Sequence, residues 1–356
     1  MKILLSVKTL YRRNGGPTAV ICSYAQALAK LGNDVEIITD GCDVPLPMGV
    51  KSIVLRKDLK IRLCEYVEKF DVVHDNGVWL LFNHMIVRAA RLKKKMLFIS
   101  PHGGLMPWIF KKGFIKKKVA WWCYQKWDLN ACDGIFTTVE IERAAVLQLG
   151  YKGKIHMHPN GVDAPGEYCR KIEGDKKVAI FVGRIHPTKG IQDLIAAWIS
   201  LNPTDWDLHI IGPDEVGMQH DLEMLCKKAE LCGMVKWLGM LSGDEKTKVF
   251  LNADLLILPS YSENFGLVVV EALLMGVPVL ATTTTPWKVL VDEGIGWNTK
   301  PGAENIANTL KCILSLQKKQ LHEIGAKGRL WANGRFDWVS IASEMMKSYC
   351  EHTHTL

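Results

Sequence analysis

Two glutamates eight positions apart, Glu263 and Glu271, stand in the run Pro259-Ser260-Tyr261-Ser262-Glu263-Asn264-Phe265-Gly266-Leu267-Val268-Val269-Val270-Glu271. The apolar stretch Leu255-Leu256-Ile257-Leu258 before them reads as a buried strand, and a helix is expected to start near residues 264–266. Glu263 then falls in the loop and Glu271 two turns into the helix, so both can face one ligand lying across the helix N-terminus. That end of a helix offers N–H groups without intrahelical acceptors and the positive end of the dipole, which suits an anion. Gly266 has no side chain to obstruct a phosphate. With a phosphate there, Glu271 can accept hydrogen bonds from vicinal hydroxyls such as those of a ribose, and Glu263 from those of a second, outer sugar. The chemistry is that of a sugar nucleotide. The plainer alternative has Glu263 capping the helix and Glu271 paired with a surface lysine.

A second anion-binding element upstream favours the ligand reading. The strand Val178-Ala179-Ile180-Phe181-Val182 runs into Gly183-Arg184-Ile185-His186-Pro187-Thr188-Lys189-Gly190, and a helix is expected from about Ile191 to Ser200. Arg184 and Lys189 therefore leave the C-terminal edge of a buried strand, where open α/β sheets bind their ligands. A planar guanidinium and a point-charge ammonium together suit a diphosphate and the charge that builds on it as it departs.

With these motifs the sequence resembles the family-4 retaining glycosyltransferases of the GT-B fold. The match takes in the E-x7-E pair, the G-R-x4-K element at Gly183, Arg184 and Lys189, and Pro159-Asn160-Gly161-Val162-Asp163 before the second domain. It also takes in Gly15-Gly16 near the N-terminus and Ser100-Pro101-His102-Gly103-Gly104-Leu105 after a strand. The resemblance implies that Arg184 and Lys189 bind the donor diphosphate, that Glu271 binds the ribose, and that Glu263 binds the transferred sugar. Asn264, Phe265, Gly266 and Leu267 would meet phosphate or sugar through the helix N-terminus, and the Gly15-Gly16 loop would touch diphosphate or sugar. His102 would approach the donor sugar from the opposite domain, so that His102, Glu263, Arg184 and Lys189 form the catalytic set. Two departures stand out. Trp297-Asn298 follows Gly294-Ile295-Gly296, where similar sequences often carry a second aromatic, and His74-Asp75-Asn76-Gly77 replaces a pair of histidines one residue apart, in a segment expected to face the acceptor.

Near-continuous Val/Ile/Leu runs alternate with amphipathic stretches, and after residues 159–175 the rhythm starts afresh. Such runs mark parallel strands covered on both faces. The expected fold is α/β, with two Rossmann-like parallel-sheet domains facing across a cleft. An acceptor-binding domain is expected over residues 1–165 and a nucleotide-sugar domain over 166–335. The segment 336–356, with a helix from Trp338 to Cys350, is expected to return to the first domain. Gly15-Gly16-Pro17 between first strand and helix permits close backbone approach, with Asn14 before it. His102, placed by Pro101 and loosened by Gly103-Gly104, points toward the expected cleft. His156 and His158 share one strand face and read as packing or hydrogen-bonding residues rather than metal ligands.

The chain has 356 residues and 48% hydrophobic content, enough for two cores. Its ten cysteines show no C-x-x-C pair and no zinc spacing, which fits a reducing cytoplasm better than a disulfide framework. Met1–Val7 is too short for a signal-peptide core, and no run approaches the roughly 20 apolar residues that span a bilayer. The net charge of +8 is uneven, with 26 Lys+Arg against 15 Asp+Glu in residues 1–170. Its densest segment, residues 108–122, interleaves five lysines with Trp108, Phe110, Phe114, Trp121 and Trp122. That pattern suits peripheral contact with anionic lipid at the inner face of the cell membrane, each cation adding about 1 kcal/mol. The alternative is a charged helix face with its aromatics turned inward. Nucleic acid is disfavoured because no helix-turn-helix, RNP-like or zinc motif accompanies the charge.

The expected activity is transfer of a hexose-type sugar from a nucleoside diphosphate sugar, UDP- or GDP-linked, to a hydroxyl of a glycan acceptor, with retention. The resemblance of the loops at Pro107-Trp108 and Thr284-Thr285-Pro286-Trp287-Lys288 to those of bacterial polysaccharide and O-antigen assembly enzymes implies a lipid-linked acceptor. No cofactor is expected, and two cations with a helix dipole make a divalent metal unnecessary for the leaving group. Asp205-Trp206-Asp207 is read as a solvated turn ahead of a strand, at the edge away from the ligand. The rival readings are a phosphorylase or nucleotide-sugar epimerase of the same fold, and a non-catalytic sugar-binding protein.

Overall fold

The structure, a computed structural model, describes residues 1–12, 15–111, 113–163, 176–231 and 233–351. The chain divides into two compact units, one of Met1–Asp163 with Phe336–Leu356 and one of Ala164–Arg335.

The first unit holds a seven-stranded parallel sheet built from β1 (Lys2–Val7), β2 (Asp34–Thr39), β3 (Val50–Val54), β4 (Val72–Asn76), β5 (Met96–Ser100), β6 (Gly134–Thr137) and β7 (Lys154–Met157), ordered β3-β2-β1-β4-β5-β6-β7. Ile3, Leu4, Leu5, Val73, Leu97 and Phe98 are wholly buried, as strands covered on both faces require. Parallel neighbours need crossovers, and helices such as Gly16–Lys30 and Leu81–Leu92 supply them. The strand order reverses between β1 and β4, which opens a crevice at their carboxyl ends. The final helix, Trp338–Cys350, packs on helix Gly16–Lys30. There the Tyr24 and Tyr349 hydroxyls meet at 2.6 Å, and Tyr349 also bonds His74 Nδ1. The outgoing and returning chains run together, Val162 N–H donating to the Phe336 carbonyl at 2.8 Å.

In the second unit β8 (Lys177–Val182), β9 (Trp206–Ile211), β10 (Val235–Gly239), β11 (Leu255–Leu258), β12 (Val279–Thr282) and β13 (Gly296–Thr299) form a parallel sheet ordered β10-β9-β8-β11-β12-β13. Its reversal lies between β8 and β11. Phe181, Trp198, Trp206 and Phe250 anchor the core, and the Trp206 indole N–H donates to the Leu314 carbonyl at 3.2 Å.

Two Rossmann-like parallel sheets are what the alternating pattern predicts. Two edge strands were not anticipated, β3 and β13, because each mixes polar with apolar residues and buries little of itself. Asp205-Trp206-Asp207 requires correction. Trp206 opens β9 and is wholly buried, and Asp207 is a nearly buried carboxylate receiving Lys176 at 2.7 Å and Lys236 at 2.9 Å. The sequence gives no sign of this because both lysines come from other segments. Asn14 and residues 164–175 of the expected domain boundary lie outside the described residues.

Candidate active site

The loops that follow β8 and β11 leave adjacent strands at the reversal of the second sheet. They are fitted closely together. Gly190, with φ of +67°, lies so near the Pro259 carbonyl that an added Cβ would sit 2.0 Å from its oxygen. Tyr261 N–H donates to the Thr188 carbonyl at 2.9 Å, and the Tyr261 hydroxyl to Asp193 at 2.6 Å. This contact brings Lys189 onto Glu263, whose Oε1 also accepts the Ser260 hydroxyl at 3.0 Å. Their side chains are 18% and 11% exposed, so each charge depends on the other for much of its solvation.

Beyond Glu263 the backbone turns through Gly266, at φ +78°, into helix Leu267–Leu274. The turn is pinned from outside, since the Trp287 indole N–H donates to the Phe265 carbonyl at 2.6 Å and lies 3.2 Å from where a Cβ on Gly266 would be. A larger residue at 266 would meet both a strained φ and the indole. The helix begins at Leu267, so its leading N–H groups point back toward the loop that carries Glu263. Glu271 stands in the second turn and receives Lys246 Nζ on both oxygens, at 2.6 and 2.7 Å.

Arg184 lies elsewhere on the same edge. Its Nη1 donates to both Glu215 oxygens at 2.7 Å, in a pair about half exposed. The expected union of Arg184 with Lys189 is therefore modified: Lys189 and Glu263 are joined directly in the stretch that leads into the helix, whereas Arg184 is held aside by an exposed carboxylate. Such a pair contributes about 0–1 kcal/mol and is readily exchanged for another anion.

In the first unit, Gly15 adopts φ +59° and ψ −122°, a conformation that suits glycine, and Gly16-Pro17 begin helix Gly16–Lys30. His102 also has positive φ, +49°, and its Nε2 lies 3.0 Å from Asn76 Oδ1. Its loop is fastened by Glu142, a wholly buried carboxylate accepting the Gly103 N–H and, at 2.8 and 3.0 Å, the Thr138 N–H and hydroxyl. Surrounding protein lowers the His102 pKa, opposed by the nearby Glu142 charge, although the residue keeps solvent contact. A cavity beside it is lined by Tyr24, Asn76, Ser100, Thr137, His158 and Trp338. Deeper in the sheet, burial holds His74 at a pKa of about 3 and raises that of Asp75 to about 7. Asp75 Oδ1 accepts the Ser6 hydroxyl and the Asn83 amide. His156 and His158 stack as rings, and His158 bonds Ser348 at 3.1 Å, in keeping with packing roles.

The residues missed by sequence reasoning are Lys246, Glu215 and Glu142. Lys246 meets Glu271 from 25 residues away and Glu215 meets Arg184 from 31, so no local spacing announces either. The plain reading of Glu271 as a lysine partner is thus met in geometry, while Glu263 pairs with Lys189 and makes no side-chain cap. Among the described residues no group of three His, Cys, Asp or Glu side chains could hold a metal ion.

Residues 14–164 match the family described as Glycosyltransferase Family 4, and residues 170–331 match Glycosyl transferases group 1. A D-inositol 3-phosphate glycosyltransferase of Mycolicibacterium smegmatis is 30% identical over 226 residues, covering 60% of this chain and 51% of that protein. The chain spans about half the length of the curated relatives it matches. HepE of Anabaena, solved with UDP and glucose, superposes with a TM-score of 0.80 at 19% identity, covering 99% of this chain and 100% of that one. WaaG, a glycosyltransferase involved in lipopolysaccharide biosynthesis, gives 0.74 at 16% identity over 96% of this chain and 98% of its own. These likenesses establish the GT-B fold. With residues 14–164 and 170–331 each matching a glycosyltransferase family, the chain belongs to the family-4, group-1 glycosyltransferases.

Proposed function

We propose that the chain is a retaining hexosyltransferase that moves a sugar from a UDP- or GDP-linked donor to a hydroxyl of a lipid-linked glycan. It would act at the inner face of the cell membrane in assembling a bacterial polysaccharide such as lipopolysaccharide or O-antigen. One observation carries the reading: Lys189, Glu263, the helix N-terminus at Leu267 and Glu271 are assembled by two loops at the reversal of one parallel sheet. That is where open sheets bind nucleotides. The nucleotide and sugar in the HepE structure, and the pathway named for WaaG, support the donor class and the kind of product.

In this reading the bond from the anomeric carbon to the terminal phosphate oxygen breaks as the acceptor oxygen bonds the same carbon on the same face. The acceptor's proton passes to the departing phosphate. Negative charge gathers on the diphosphate, where Lys189 and the helix N-terminus stabilise it, and Arg184 joins them by leaving Glu215. Glu271 takes the ribose hydroxyls and Glu263 those of the sugar. The roles of His102, Gly15 and Gly16 on donor sugar and phosphate rest on the resemblance. Lys189→Ala, assayed by nucleoside diphosphate release, is expected to lower kcat by at least about a hundredfold, as loss of about 3 kcal/mol of transition-state stabilisation requires. Turnover within a few-fold of the parent would remove the leaving-group role.

A further inference from the structure

We infer that Asn76 is a positioning residue for His102: it fixes the imidazole with its proton on Nε2 and leaves Nδ1 as the ring's hydrogen-bond acceptor for a substrate hydroxyl. The part that concerns substrate rests on the proposed function, and the part that concerns the ring does not.

The sheet brings the two residues together. Asn76 ends β4 and is in register with Ser100, which ends β5. His102 follows Ser100 by two residues at positive φ, and its Nε2 comes to 3.0 Å from Asn76 Oδ1. The loop that carries the ring is fastened along its backbone. Glu142 accepts the Gly103 N–H, the Gly104 N–H donates to the Pro101 carbonyl at 2.9 Å, and the Gly104 carbonyl accepts the Trp79 indole N–H at 2.6 Å. A Cβ on Gly104 would stand 2.5 Å from Val78 Cγ2. With the backbone held, the ring is the part left to orient, and Asn76 is the side chain that bonds it.

The proton's place follows from one backbone carbonyl. Asn76 is buried, so both ends of its amide need partners. One end lies 3.1 Å from the His74 carbonyl, which can only accept. That end is therefore the NH2 group, and the end facing His102 is the amide oxygen. This oxygen also only accepts, so the ring nitrogen opposite it must carry hydrogen. His102 Nε2–H thus donates to Asn76. Surrounding protein disfavours the charged ring, and a neutral imidazole has a single N–H. Nδ1 keeps its lone pair, and among the described residues no hydrogen-bond partner occupies it. Donation from the other nitrogen makes it a stronger acceptor.

This selects the ligand chemistry. A bare ring nitrogen takes an O–H and repels a phosphate oxygen, so His102 serves a hydroxylated group such as a hexose ring and not the diphosphate.

The test is nitrogen-15 NMR of the full chain with labelled histidine at neutral pH, the His102 signals being assigned by their loss in His102→Asn. Nε2 is expected protonated, with its proton visible because the bond to Asn76 slows exchange with water, and Nδ1 unprotonated. Asn76→Leu keeps the size and removes the acceptor, so that proton should vanish into exchange. Catalysis gives a second measure, by nucleoside diphosphate release from UDP-glucose and GDP-mannose. An Asn amide reaches near the place of Nδ1 and a Gln amide near that of Nε2. His102→Asn should therefore keep at least about tenfold more kcat/KM than His102→Gln, and Asn76→Leu should lose at least about tenfold. Thermal melting checks that each variant folds, and where Asn76→Leu does not, the parent spectrum alone decides. The inference is overturned by a proton on Nδ1 with Nε2 bare, by a His102 spectrum unchanged in Asn76→Leu, or by His102→Gln outperforming His102→Asn. Bare Nε2 in a parent that releases nucleoside diphosphate leaves sugar transfer standing. A parent that releases none from any nucleotide sugar removes sugar transfer, while its ring spectrum still decides the tautomer.

Discussion

At the scale of single residues, the second unit balances each candidate cation with a carboxylate, and the three pairs differ in what they can do. Lys189–Glu263 is nearly enclosed, so removing one partner strands the other. Arg184–Glu215 is open and exchangeable. Lys246–Glu271 is intermediate, each side chain a little under one-third exposed, and it fixes the carboxylate that would meet the ribose. Lys246→Ala is therefore expected to raise the donor KM roughly fivefold through the rotamer freedom returned to Glu271, about 1 kcal/mol, with kcat within about twofold. Lys246→Arg should restore the parent KM. A fall in kcat at constant KM would instead assign Lys246 to the transition state.

At the scale of elements, the decisive feature is how tightly the loops after β8 and β11 are fitted. Gly190→Ala forces a methyl against the Pro259 carbonyl in a left-handed backbone, and should cost at least about 2 kcal/mol. In calorimetry that is a loss of roughly 4–8 °C in Tm for a unit of this size, with donor binding weakened because Lys189 leaves Glu263. An unchanged Tm would mean the loops are less tightly coupled than they look. Most such elements were legible in the sequence. The interior strands are short Val/Ile/Leu runs, and the motifs at residues 183–190 and 259–271 announced the site because each is contiguous. What escaped was non-local or marginal: the edge strands β3 and β13, the lysines on Asp207, and the partners Lys246 and Glu215. The aromatic segment was legible only as a choice between inward and outward rings, and the structure takes both, Trp121 inward and Trp122 outward. Adjacent residues of a helix stand about 100° apart, so one of the two can pack inward while the next faces out.

At the scale of the whole molecule, pH dependence of stability is carried in large part by groups buried in the first unit. Asp75 is buried in the first sheet, and its pKa is raised by burial to about 7, from 3.8. The folded state therefore binds its proton more tightly than the unfolded chain. Its stabilising contribution is complete below about pH 3.8 and is lost as pH rises through about 7. His74 and His158, held by burial at about 3 and about 4, act in the opposite sense, their contribution present above about 6.5 and lost toward acid. Asp75→Asn keeps the shape of the protonated carboxyl and cannot ionise. Denaturant unfolding should show the variant gaining on the parent between about pH 4 and about pH 7, by on the order of a few kcal/mol, with a level difference above that. A constant difference would mean that Asp75 ionises normally.

The return of helix Trp338–Cys350 to the first unit also sets an order of assembly during translation. Residues 1–163 leave the ribosome first, yet Tyr24 and His74 wait for Tyr349, the last large side chain of their shared core. The second unit is one continuous stretch and is finished before the tail of the first exists. The second unit thus completes its fold before the first can, reversing the usual N-terminal-first sequence.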